Sequence, residues 1–217
     1  TNMGYVKRMT PDNFKSQHRG GKGIKGMQTL DNDFIEDLFM TTTHHYLTFL
    51  TNTGRAYKLK AYEIPESSRT SRGTAIINLL QLQPGEKIAA VIPVKVDFLT
   101  NEDYLFMSTK KGIVKKTAIS EFANIRNSGK ICISLRENDK LIGVKKTTGN
   151  DLVLLGSDSG RMVKFNEDEI RVRGRTASGV RGISLDGSKC ICSEIVKEED
   201  TILLVTEKGY GKQTKVS

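Results

Sequence analysis

Short apolar runs alternate with polar turns along the whole chain, and no stretch keeps the 3.6-residue period of an amphipathic helix over three turns. The same order of runs and turns recurs in residues 46–79, 104–135 and 152–185. In each block a strand-like run meets a polar turn that ends in glycine, and a second strand-like run follows. This pattern predicts β-hairpins whose glycine supplies the positive φ that the turn needs.

Partial copies of the block flank the three full ones, at residues 1–27 and 202–217. The turn glycines recur at intervals of roughly 50 residues and are Gly4, Gly54, Gly112, Gly160 and Gly209. A basic residue lies three or four positions beyond each of them: Lys7, Lys58, Lys115, Lys164 and Lys212. A loop rich in Arg and Gly, a short alternating strand and a further strand complete each unit.

Four strands per repeat of this length are typical of propeller blades. We therefore predict an all-β, propeller-like fold that forms one domain over residues 1–217, with incomplete first and last blades. A β-sandwich with chance similarity between its hairpins is the alternative. Five recurrences of one strand–turn–glycine–strand order argue against it.

The 217-residue chain is basic, with 34 Lys plus Arg against 25 Asp plus Glu and a formal net charge of +9. This balance favours an anionic partner such as nucleic acid, a membrane surface or an acidic protein. No apolar run approaches the roughly 18 residues of a membrane span, and the first residues have no apolar signal-peptide core.

The chemistry-bearing residues form no recognisable catalytic or metal-binding motif. The chain has an odd number of cysteines and no CxxC pair; they are Cys132, Cys190 and Cys192. This count favours buried thiols over disulfides, and therefore a reducing, cytoplasmic compartment. His44 and His45 lack a nucleophile or carboxylate at a motif spacing, and no P-loop is present. We expect no catalytic residue, metal or cofactor in this chain.

Residues 17–23 read QHRGGKG and contain almost no apolar side chain. Glycine allows positive φ and close approach of the backbone, while arginine and lysine contact phosphate. The segment therefore predicts a phosphate-contacting turn. This glycine box, together with the lysine that follows it, consists of Gln17, His18, Arg19, Gly20, Gly21, Lys22, Gly23 and Lys25.

The glycine box, the GYVKR upstream, the GIKG downstream and the repeat over the whole chain resemble the C-terminal β-pinwheel domains of DNA gyrase A subunits. The box matches the signature of that family, Gln-basic-Arg-Gly-Gly-basic-Gly, at six positions; His18 stands where Arg or Lys is usual. The signature distinguishes gyrase from topoisomerase IV, whose equivalent domain bends DNA for decatenation and has a degraded or absent box.

The resemblance implies a non-catalytic domain that wraps double-stranded DNA, so that a bacterial, nucleoid-associated type IIA topoisomerase introduces negative supercoils. Its implied protein partners are the rest of the gyrase A subunit, and the gyrase B subunit, with ATP and Mg used elsewhere in the parent enzyme. A propeller-like protein-interaction module remains an alternative, with a less basic rim. A glycosidase-type propeller would need paired carboxylates, and no repeat offers a pair.

A basic set recurs in each blade and predicts a curved, DNA-binding rim, because repeats related by rotation place equivalent residues at similar radius and height. Its members are Lys7, Arg8, Arg55, Lys58, Arg69, Arg72, Lys115, Lys116, Arg126, Lys130, Arg161, Lys164, Arg173, Arg175 and Arg181. The alternative for each is a solvated strand edge. We expect Lys115 and Lys164 to be exposed, so that alanine there weakens DNA binding slightly without affecting folding.

Overall fold

The computed structural model describes residues 1–14, 18–21, 23–94 and 102–217. Within these residues the regular elements are β-strands and short 3-10 turns, without an α-helix. No helix in the described part of the chain is long and apolar enough to cross a membrane. The chain divides into two compact units, Thr1–Phe98 with Asn124–Ile131, and Leu99–Ala123 with Cys132–Ser217.

The described residues of the first unit form two sheets and three 3-10 turns. Its strands are β1 (Tyr5–Val6), β2 (Tyr46–Thr51), β3 (Arg55–Lys60), β4 (Thr74–Ala75), β5 (Ile88–Val94) and β8 (Lys130–Ile131). Its 3-10 turns are η1 (Pro11–Asn13), η2 (Ala61–Glu63) and η3 (Ile76–Asn78). One sheet has the order β5-β2-β3-β8, and β1 pairs with β4. The core packs Leu47, Phe49 and Tyr57 of the β2–β3 hairpin against Ile64 and Leu80.

In the second unit, residues 102–123 and 132–217 form three sheets. Its strands are β6 (Tyr104–Thr109), β7 (Ile113–Ala118), β9 (Leu141–Thr147), β10 (Leu152–Ser157), β11 (Met162–Asn166), β12 (Val180–Arg181), β13 (Cys190–Val196), β14 (Thr201–Val205) and β15 (Gly211–Lys215). Its 3-10 turns are η4 (Ile119–Phe122) and η5 (Glu167–Glu169). The sheet orders are β12-β7-β6-β9, β11-β10-β13 and β14-β15. Phe106, Val114, Val153 and Leu155 form the centre of the main core cluster.

Each four-stranded sheet combines strands of two successive sequence repeats. The short strand that follows the arginine–glycine loop leaves its own hairpin and pairs, antiparallel, with the hairpin of the preceding repeat. In this way β4 joins β1, β8 joins β3, and β12 joins β7. The sheets are therefore offset by one strand from the repeats that the sequence shows.

Glycine makes this strand exchange sterically possible. Gly73 and Gly179, which directly precede β4 and β12, have φ of +82° and +88°. A Cβ at either position would lie 2.4 Å from a backbone carbonyl oxygen, that of Val6 or Val114. The incoming strand therefore approaches the preceding hairpin at a distance that a residue with a side chain does not allow.

The turn glycines agree with the sequence analysis, because all of them have positive φ: Gly4, Gly54, Gly112, Gly160 and Gly209. The cysteines are free thiols, with Cys132 and Cys190 buried and Cys192 half-buried. Burial raises the pKa of Cys132 to about 12 and that of Cys190 to about 11. No group of three or more His, Cys, Asp or Glu side chains that could hold a metal ion occurs in the described ranges.

Candidate nucleic-acid interface

The described residues of the glycine box are exposed in the first unit, and residues 18–21 form a turn. Gly21 donates its N–H to the His18 carbonyl at 2.9 Å, and Arg19 and Lys25 are exposed. The two positive-φ glycines, at 20 and 23, would have open space around an added Cβ. They therefore serve the backbone conformation and not a tight contact. Gln17 and Lys22 lie outside the described residues.

The arginine–glycine loops that precede the exchanged strands carry the exposed guanidinium groups. Three loop arginines, Arg69, Arg126 and Arg173, are exposed, as is Arg181 on β12, and their guanidinium groups form no hydrogen bond or ion pair with other described residues. Arg72 is exposed as well, with its Cζ 5.8 Å from the centre of the Tyr5 ring. Arg69, Arg126 and Arg173 can therefore bind phosphate without first breaking a hydrogen bond or ion pair to another described residue.

Lys115 is fully buried, so the prediction that it is an exposed rim residue is wrong. Its ammonium donates to three backbone carbonyls, those of Cys132 at 2.5 Å, Arg175 at 2.6 Å and Gly174 at 3.2 Å. Burial lowers the pKa of Lys115 to about 8, so the side chain stays an ammonium at neutral pH. The residue holds the loop before β12 instead of facing solvent.

Lys7 makes the same kind of contact in the first unit and is half-buried. Its ammonium donates to four carbonyls, those of Gly26 at 2.8 Å, Arg69 at 2.8 Å, Ser68 at 3.1 Å and Ser71 at 3.1 Å. Burial lowers its pKa from the ordinary value. Lys7 was predicted to contact DNA on the rim, but its ammonium is already bound by four backbone carbonyls.

Lys116 is also buried, at 4% exposure, which again contradicts the predicted position on the rim. Its ammonium donates to the Glu167 carbonyl at 2.8 Å and lies 5.3 Å from the centre of the Tyr104 ring. Both contacts replace the water that an exposed lysine would keep. Lys115 and Lys116 therefore belong to the structural framework of the second unit.

Four further members of the predicted rim have partners inside their own unit. Arg8 donates to the Ile64 carbonyl and pairs with Glu66 at 3.3 Å. Arg55 donates to the Ser128 carbonyl at 2.6 Å and lies 3.7 Å from Glu86. Two more cations are exposed but engaged in ion pairs: Arg161 with Asp186, and Lys164 with Glu198 at 2.9 Å.

The remaining rim residues are half-buried: Lys58, Lys130 and Arg175. The Lys58 ammonium lies 4.5 Å from the centre of the Tyr46 ring. Burial lowers the pKa of Lys58, and the charges of Lys130 and Lys60 lower it further. Sequence reasoning treated lysines three and four residues after the turn glycine as one class. A difference between these two positions was the available signal, because the two lysines that bind carbonyls of an arginine–glycine loop, Lys7 and Lys115, are both the third residue after it.

Comparison with known protein families shows which family this chain belongs to. The family model described as "DNA gyrase C-terminal domain, beta-propeller" matches residues 1–42, 45–95, 103–148, 151–191 and 200–217. The chain belongs to this family. The resemblance inferred from the glycine box and the repeat is thereby confirmed, as is the all-β, propeller-like fold.

Its curated relatives are A subunits of DNA gyrase. The one from Staphylococcus epidermidis (strain ATCC 12228 / FDA PCI 1200) is 47% identical over 216 residues, which cover 98% of this chain and 24% of the relative. The one from Staphylococcus aureus (strain NCTC 8325 / PS 47) is 42% identical over the same coverage. The chain thus spans about a quarter of the length of these relatives.

Solved structures of gyrase and topoisomerase IV C-terminal domains are similar to the fold. The crystal structure of the C-terminal domain of DNA topoisomerase IV has a TM-score of 0.84 at 26% identity, covering 99% of this chain and 65% of that one. The DNA gyrase A C-terminal domain has a TM-score of 0.70 at 28% identity, covering 99% of this chain and 69% of that one.

Proposed function

We propose that this domain binds double-stranded DNA through its glycine box and its arginine–glycine loops, and wraps the duplex for a gyrase that introduces negative supercoils. The observation that carries the proposal is the set of exposed loop arginines whose guanidinium groups form no hydrogen bond or ion pair with other described residues: Arg69, Arg126 and Arg173. Arginine and backbone N–H groups bind phosphate and thereby position a protein on DNA without reading its sequence. The names of the curated relatives support the same conclusion.

Phosphate contacts also make wrapping energetically possible. Bending a site of 20–30 bp by 40–90° costs about 1–6 kcal/mol, so several contacts along the path have to act together. Loops repeated along the chain can offset this cost, whereas one isolated patch cannot. Catalysis, ATP and Mg belong in this proposal to other parts of the enzyme. The expected protein partners in the cytoplasm are the remainder of the gyrase A subunit, and the gyrase B subunit.

Similarity to topoisomerase IV gives a second candidate function, DNA bending without supercoiling. The glycine box favours the gyrase function over that of topoisomerase IV, because it adds a turn suited to phosphate contact to the arginine–glycine loops. The two functions differ in whether the domain changes the linking number of a ligated circle.

Salt dependence of binding to random duplex tests the DNA-binding part of the proposal. Log affinity should fall linearly with log salt, by about 0.9 for each phosphate neutralised. Arg173→Ala should reduce this slope by about one unit. Arg161→Ala is the matched control, since this exposed arginine is already paired with Asp186 and should change the slope less. A flat salt dependence, or a preference for single strands, contradicts the proposal.

A further inference from the structure

Two lysines use their ammonium groups to join loops of successive repeats. Lys7 contacts the carbonyl of Gly26, at the end of the glycine-box segment, and the carbonyls of Ser68 and Arg69 in the next repeat. A second link joins the same two segments, from the Gln28 N–H to the Ser71 carbonyl at 3.4 Å. The segment at the end of the glycine box and the Arg69 loop are therefore joined by one charged group and one backbone hydrogen bond.

Lys115 repeats this arrangement in the second unit. Its ammonium contacts the carbonyl of Cys132, in its own repeat, and those of Gly174 and Arg175, in the next repeat. Gly26 and Cys132 are each the third residue after a positive-φ glycine, Gly23 and Gly129. The two lysines thus contact equivalent pairs of backbone segments, each in its own part of the chain. Such a recurrence is not explained by a chance contact.

We propose that Lys7 is a positioning residue that holds the glycine box and the Arg69 loop at a fixed spacing, so that both reach one DNA backbone together. This role rests on the proposed DNA binding. The ammonium itself contacts carbonyls, while Arg19 and Lys25 on one side and Arg69 and Arg72 on the other provide the exposed charges. Lys115 performs the equivalent role for the Arg173 loop.

A fixed spacing matters only when two loops bind the same duplex. The second loop then binds at a high effective concentration, and loosening the link lowers avidity without removing any phosphate contact. A duplex too short for both loops gains nothing from the link. Lys7 should therefore affect long and short duplexes differently, which a lysine that directly binds phosphate does not.

The first experiment compares Lys7→Met with wild type on duplexes of about 30 bp and about 10 bp, at one salt concentration. We expect affinity for the long duplex to fall roughly tenfold and that for the short one to fall less than about twofold. Lys212→Met is the matched control: it also removes a lysine at the third position after a turn glycine, but this one is exposed. A ratio of long to short affinity equal to that of the control overturns the positioning role.

The second experiment uses the wild-type chain and does not depend on how the variant folds. Acetylation with an amine-reactive ester should modify Lys7 and Lys115 several times more slowly than Lys25 and Lys212 in the free protein, and DNA should leave the rate at Lys7 unchanged. Modification of Lys7 in the free protein and its protection by DNA would show direct phosphate contact and overturn the proposal. Wild type that binds neither duplex would instead overturn the proposed function, and with it the role of Lys7 on DNA.

Discussion

Lys115 and Lys116 are neighbours on β7, and different backbone segments hold their ammonium groups. Lys115 donates to carbonyls of the loop before β12, and Lys116 donates to the carbonyl of Glu167 in η5. Both lysines of the β6–β7 hairpin therefore bind backbone segments of the repeat that follows. The chemistry of lysine alone predicts an exposed charge. The burial of Lys115 could not be predicted locally, because two of the three carbonyls that bind it lie about sixty residues further along the chain.

Lys115→Met tests the buried ammonium through the pH dependence of stability. Burial lowers the pKa of Lys115 from 10.5 to about 8, so between these values the unfolded chain keeps a proton that the folded chain has lost. Stability contributed by this lysine therefore rises with pH across that window. The difference in unfolding free energy between wild type and Lys115→Met should grow by roughly 1–3 kcal/mol over it.

Urea denaturation of both proteins at several pH values from about 8 to 10.5 measures this difference. The Cys132 thiol, whose pKa is raised to about 12, has an opposing effect, but it is present in both proteins and largely cancels. At neutral pH the variant should already be less stable by about 1–3 kcal/mol, because it leaves buried carbonyls without a donor. A difference that stays constant with pH contradicts a lowered pKa at Lys115.

At the scale of elements, strand exchange links the repeats and the sequence predicts it poorly. The hairpins are local, so alternation and a turn glycine suffice to predict β2–β3, β6–β7 and β10–β11. The exchanged strands have only two residues, as β12 shows, and nothing in such a short segment specifies a partner strand. The arginine–glycine loops were predictable as exposed features for the same local reason, whereas the lysines that anchor them were not.

Gly179→Ala should damage the exchange of β12, and Gly187→Ala provides a matched control. Both glycines have φ of +88°, but a Cβ meets the Val114 carbonyl at 2.4 Å in the first and open space in the second. The control should lose about 1–2 kcal/mol of stability from the left-handed backbone alone. Gly179→Ala should lose about 2–5 kcal/mol, because steric overlap adds to that strain. Equal losses in urea denaturation would show that the close approach of β12 does not matter.

At the scale of the whole molecule, the cations divide into structural and available ones. Lys7 and Lys115 bind backbone carbonyls within the framework, while the loop arginines Arg69, Arg126 and Arg173 are exposed. Net charge predicts the anionic partner but not this division, because each cation looks alike in the sequence. The glycine box is distinct from both groups, since exposed glycines adjoin the exposed side chain of Arg19 there.

Replacing residues 17–23 by alanine should separate DNA binding from DNA wrapping. The change removes Arg19 and Lys22 but leaves the arginines of the loops, so overall affinity should drop only about tenfold or less. Wrapping is more sensitive, because an outermost contact has to hold DNA against a bending strain of about 1–6 kcal/mol. Side chains at the box glycines would also keep the backbone N–H groups away from phosphate.

The matched control is the double variant Arg69→Ala and Arg72→Ala, which removes two charges from the neighbouring loop and keeps the box. Nicked circles are ligated in the presence of each domain, and the resulting linking number is compared with that of wild type. The alanine box should abolish the shift, and the control should reduce it only partly, because a weakened inner contact still leaves the end of the path anchored. In the complete enzyme the box variant should lose negative supercoiling but keep relaxation and decatenation. Equal shifts for wild type and the alanine box would show that the box does not anchor the wrap.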